Sequence, residues 1–144
     1  MHINWGKAIA AGLIGTAVMT MVGVWGAPMM GIPPMNPATM LAMAMGSTAL
    51  GWIGHLMIGS MLAIIYALVA PRLRGPSWAR GALYGIAPWL LAQLVVIPMM
   101  GMPLFSGSLA LAMGSLVGHL MYGAVVGGVY GTGVVAPARR QAVA

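Results

Sequence analysis

The sequence predicts an all-α integral membrane protein, a four-helix bundle made of two tandem two-helix repeats. Three observations carry that prediction. The 144-residue chain is 61% hydrophobic and 4% charged, with a mean hydropathy of +0.99, whereas soluble domains carry about 25% charged residues. It contains no Asp and no Glu, so a water-facing surface of mixed charge cannot be assembled. Its short motifs also occur twice, in the same order along the chain.

Four apolar stretches approach or exceed the ~20 residues needed to cross a bilayer core. The first covers residues 8–27. It follows Lys7 as a signal peptide would, but is read as a span. The second lies between Pro37 and Pro71, long enough for a span plus an extra outer turn or two. The third covers residues 79–97 and the fourth residues 108–135. Prolines punctuate them (Pro28, Pro33, Pro34, Pro37, Pro71, Pro76, Pro98, Pro103, Pro137) because proline lacks an amide donor and disfavours helical continuation. Pro88, inside the third stretch, should kink it. The whole forms one membrane domain, 1–144: repeat one 5–71, a basic loop 72–78, repeat two 79–137 and a short basic tail 138–144.

The cations set the orientation. Lys7 precedes the first span, Arg72, Arg74 and Arg80 lie between the second and third, and Arg139 and Arg140 follow the fourth. The positive-inside rule places both termini and the middle loop in the cytoplasm, in a bacterial inner membrane. Trp5, Trp25 and Trp78 fall at the expected interfaces. The net charge of +6 does not indicate nucleic acid, because the basic residues form no patch with interleaved aromatics. The chain has no cysteine, hence no disulfide or thiolate chemistry.

The duplication is explicit. Gly54-His55-Leu56-Met57 recurs as Gly118-His119-Leu120-Met121, followed at matching distances by Gly59 and Gly123, then Tyr66 and Tyr130. Pro28-Met29-Met30-Gly31 recurs as Pro98-Met99-Met100-Gly101, and residues 41–46 resemble 109–114. Each repeat holds two spans, so the repeats should be related by a pseudo-two-fold axis along the membrane normal. The pattern Gly51-Trp52-x-x-His55-x-x-Ile58-Gly59, with His119-x-x-Tyr122-Gly123, resembles a group of small uncharacterised bacterial four-span membrane proteins. The likeness extends over most of the chain, including the Met-Met-Gly loops. It implies the architecture and carries no activity.

An ionisable side chain inside an apolar span is a functional-site hypothesis by default. Under the pseudo-two-fold axis His55 and His119 sit at similar depth on diagonal helices. They would then be suited to bind a b-type haem, or a related tetrapyrrole, as axial ligands to its iron. Gly59 and Gly123 would provide clearance, and Tyr66 and Tyr130 could receive the propionates. Such a protein would relay electrons, with a quinone or a larger membrane complex as partner and a homo-oligomer left open. Alternatively, the tyrosines serve as interfacial anchors, and the histidines only bond a carbonyl across a helix seam. The small-residue stripes (Gly81-x-x-x-Gly85, Gly114-x-x-x-Gly118, Gly123-x-x-x-Gly127) would then be docking faces of a structural or assembly subunit. A third reading assigns exterior Cu(I) binding to the Met29, Met30, Met99 and Met100 loops, since thioethers are soft ligands. Sixteen methionines in an apolar chain are also good gap-fillers.

Catalysis is harder to build. Two-carboxylate mechanisms are impossible without Asp or Glu. Ser115 lies four residues before His119, but no acid exists to orient a dyad, and the first repeat has Gly51 at that place. Gln93 should bond across a helix seam, and His2 has no assigned role.

Overall fold

A computed structural model describes residues 3–131. His2, Pro137, Arg139, Arg140, the tail 138–144 and the end of the predicted fourth span lie outside the described residues. Five helices follow one another: α1 (Trp5–Met29), α2 (Pro37–Met45), α3 (Thr48–Arg72), α4 (Ser77–Met99) and α5 (Leu109–Tyr130). All but α2 are long and apolar enough to cross a membrane.

Side-chain caps mark the helix starts. Asn4, Asn36, Ser47 and Ser108 each accept a backbone N–H of the turn they open, satisfying donors that a helix start leaves without partners. The separation of α2 from α3 revises the single second stretch between Pro37 and Pro71. Gly46 ends α2 at φ 67° and Ser47 returns to extended backbone, a left-handed step that glycine takes without steric cost. Residues 41–46 therefore lie in or just after the short helix α2, while their sequence match, 109–114, opens the long helix α5.

Both α1 and α4 widen into a π turn near their far ends, at Val22–Gly26 and Ala92–Val96. Each turn lies just before a proline, Pro28 or Pro98. Ala27 N–H donates to the Val22 carbonyl, and Ile97 N–H to that of Ala92. A proline ring crowds the carbonyl four residues earlier, and the wider turn accommodates it. The Met-Met-Gly motifs are the ends of these helices. Ile32 N–H reaches the Ala27 carbonyl at 3.0 Å, and Met102 N–H reaches that of Ile97 at 3.2 Å.

α1 packs along both α3 and α5, α4 packs along α5, α2 lies on α3, and α3 barely meets α4. The buried faces are made of small residues: Ala11, Gly12 and Gly15 in α1, Gly51, Gly59 and Ala63 in α3, Gly81 and Gly85 in α4. Leu13, Ile53, Met57, Met61, Leu83 and Met121 point outward. That inversion of a soluble core suits lipid, where close backbone approach holds helices together in place of hydrophobic burial. A Cβ added at Gly123 would strike the Gly81 carbonyl, and one added at Gly12 would come within 2.7 Å of the Ser60 Cα. The stripes at Gly81, Gly85, Gly123 and Gly127 are thus occupied within the chain, which removes them as docking faces.

At the arginine-bearing end, Tyr66 meets Tyr84 and Tyr130 edge-on, with ring centroids 5.3 and 6.2 Å apart. Tyr66 is 0% exposed and Tyr130 is buried, so neither serves as the interfacial anchor that the sequence suggested. Arg80 Nη1 donates to the Ala70 and Leu73 carbonyls at 3.0 and 3.2 Å, placing a cation at the C-terminal end of α3.

Candidate functional site

Where α3 and α4 fail to meet, the bundle holds a cavity of about 240 Å³, and both His55 and His119 line it. Two tyrosines stitch α3 to its neighbours beside the cavity. Tyr122 of α5 donates its hydroxyl to the Gly59 carbonyl at 2.6 Å, and Tyr84 of α4 donates to the Leu62 carbonyl at 2.8 Å. Gly59 lacks a side chain, so the phenol can reach its carbonyl directly.

His55, on α3, is 6% exposed. Its Nε2 lies 3.0 Å from the Thr20 hydroxyl of α1. That hydroxyl has one proton, and it donates to the Thr16 carbonyl at 2.8 Å, an i−4 back-bond common for threonine in helices. Thr20 can therefore only accept from the imidazole. With no Asp or Glu in the chain to pair with an imidazolium, a neutral ring with its hydrogen on Nε2 fits this contact, and Nδ1 then keeps a lone pair.

His119, on α5, is held the opposite way. Its Nδ1 lies 2.8 Å from the Ser115 backbone carbonyl, which only accepts. Nδ1 carries the hydrogen and Nε2 keeps the lone pair. Among the described residues, Arg80 Nε is the only buried side-chain nitrogen or oxygen without a partner. His55 Nδ1 and His119 Nε2 have no hydrogen-bond partner among the described residues. The site presents two imidazoles on two helices, each fixed by one hydrogen bond and each retaining one acceptor nitrogen.

Polar contacts continue along α4 and α5. Gln93, 2% exposed, donates from Nε2 to Ser115 Oγ at 3.1 Å, which is the cross-seam bond expected of it. Its Oε1 accepts from Ser106 Oγ at 3.4 Å. Phe105 and Ser106 hold left-handed backbone, φ 55° and 60°, a strained conformation that brings the Ser106 hydroxyl to the cavity. Because His119 bonds the Ser115 carbonyl and Ser115 Oγ accepts from Gln93, the two side chains form no serine–histidine dyad.

Of the six residues proposed to hold a cofactor, His55, His119 and Gly59 line the cavity. Gly123 is pressed against α4, and Tyr66 and Tyr130 lie in the aromatic cluster at the arginine-bearing end. Of the four loop methionines, Met100 lines the cavity, while Met29 (88%), Met99 (82%) and Met30 are exposed. No group of three or more His, Cys, Asp or Glu side chains is gathered for a metal among the described residues. Sequence reasoning missed Thr16 and Thr20. The available signal was their i, i+4 spacing in an otherwise apolar run, against Ile86 and Leu90 at the corresponding places of α4.

Fold and site together define a small polytopic membrane protein with a histidine-flanked cavity between its helices. The chain belongs to DUF6789, a family of unknown function whose model matches residues 3–141. No curated protein and no solved structure matches it.

Proposed function

We propose that this protein binds a ligand inside the bilayer, between His55 and His119, and carries out no bond-breaking chemistry itself. One observation supports this above all: two imidazoles from helices that scarcely touch line one cavity, each with a fixed ring and a free nitrogen. The cationic loops orient the bundle with its arginine-bearing end in the cytoplasm, so the cavity lies toward the outer half of the membrane.

A b-type haem relaying electrons is the second reading, favoured by the way His119 is held. Metal-ligating histidines donate their other ring N–H to a carbonyl or carboxylate in this manner. The residues present fit haem only in part. His55 would have to release Thr20 to offer Nε2, and about 240 Å³ falls below the ~300–1,000 Å³ of most small-molecule sites. Exterior copper binding would need Met29, Met30 and Met99 to turn inward from exposed positions.

The deciding experiment is purification in mild detergent, followed by an oxidised and dithionite-reduced absorption spectrum and mass analysis of the organic extract. The expected result is one retained molecule per chain, lost in His55→Leu, His119→Leu and the cavity-filling Gly118→Leu. A Cβ at Gly118 meets only ordinary contacts with Met19, and a retained melting transition checks that the larger side chain is accommodated. Sharp reduced haem bands would select the second reading. A folded wild type that retains nothing and takes up no added ligand would contradict ligand binding.

A further inference from the structure

We infer that the cavity's ligand is a hydroquinone, a flat lipid-soluble diphenol that donates one hydroxyl to each imidazole. This rests on the ligand-binding reading above and names the chemical class. The first argument is polarity. Thr20 fixes His55 with hydrogen on Nε2, and the Ser115 carbonyl fixes His119 with hydrogen on Nδ1. Both remaining nitrogens can only accept, so the complementary ligand is a donor. A quinone, whose two carbonyl oxygens also only accept, leaves both contacts unmade, and an unmade polar contact in an apolar site is costly.

The second argument is access. Ile58 of α3 and Leu91 and Val96 of α4 line the cavity and are also exposed on the outside of the bundle. An opening through the gap between α3 and α4, facing lipid, fits that exposure. A ligand entering there must be lipid-soluble, and an apolar tail can stay in the gap while the ring enters. The third argument is number and placement. The two acceptors come from different helices, which calls for a molecule with two hydroxyls held apart by a rigid ring, whereas a single alcohol would satisfy one imidazole.

Titration calorimetry on the full chain in lipid nanodiscs, without oxygen, tests this with three probes: a short-tailed hydroquinone, its quinone and its bis-O-methyl ether. The ether keeps the shape and loses both donors. Hydroquinone should bind about tenfold more tightly than either, the size expected from one or two net hydrogen bonds. His55→Leu and His119→Leu should each weaken hydroquinone about tenfold while changing the ether by less than about twofold, a control that the cavity persists. Thr20→Val, which frees His55 to change tautomer, should narrow the hydroquinone preference. Equal binding of hydroquinone and ether, or tighter binding of the quinone, would overturn the inference and leave the binding site standing. Binding of none of the three would overturn the inference, and a purified protein that also retains no other molecule would overturn the binding reading.

Discussion

His55 and His119 open the same Gly-His-Leu-Met continuation on two helices of similar length, yet the protein holds them through different ring nitrogens. The difference comes from the neighbouring helix. α1 presents Thr16 and Thr20 to α3, whereas α4 has Ile86 and Leu90 at the corresponding places. His55 therefore reaches across to Thr20, and His119 falls back on the carbonyl one turn earlier in its own helix. A similar asymmetry separates the π turns. Gly23 in the first is bonded through its carbonyl to Met35 N–H at 2.9 Å, while Gln93 in the second carries a side chain to Ser115 and Ser106. Segments that match in sequence can thus keep backbone geometry while their polar contacts diverge.

The comparison breaks most severely at the seam that fixes α5. Gly123→Val would drive a branched side chain into the Gly81 backbone. It should destabilise the fold by about 3 kcal/mol through overpacking, visible as a large fall in the detergent melting temperature. Thr20→Val strikes one histidine only. It leaves the His55 N–H without its acceptor and should cost about 2 kcal/mol, with the ¹⁵N signals of His55 shifted and those of His119 unmoved. Thr20→Ser should restore both stability and signals.

A smaller effect is expected from Tyr122→Phe, which removes the α5-to-α3 bond at Gly59. It should cost about 1 kcal/mol and be read in the same melting assay. Gly128→Ala has the smallest effect. Nothing lies within 4 Å of the added Cβ, so the better helix former should stabilise α5 by about 0.5 kcal/mol. The contrast between Gly123 and Gly128 separates a packing glycine from a merely permitted one.

Much of the architecture was readable from the chain. Apolar length located the four helices long enough to cross a membrane, and Pro37, Pro71, Pro76 and Pro98 marked real boundaries, because proline acts locally on φ and on the missing donor. The histidines were legible as a pair because the tetrapeptide recurs, and Gln93 because a buried amide needs a partner. What failed was any inference that required knowing which helices touch. Helical spacing places Gly59 and Gly123 near the histidine face of their helices, yet Gly123 is covered by α4. Tyr66 and Tyr130 resemble interfacial tyrosines in sequence, yet they stack inside the bundle. The break at Gly46 was also hidden, since one left-handed glycine in an apolar run looks like any helical glycine.

The account turns on the protonation pattern of the two rings. ¹⁵N-histidine NMR of the full chain in lipid, assigned through His55→Leu and His119→Leu, reads it directly. Two neutral imidazoles are predicted, His55 with hydrogen on Nε2 and His119 with hydrogen on Nδ1. Both rings in the same tautomer, or either one doubly protonated at neutral pH, would contradict the account.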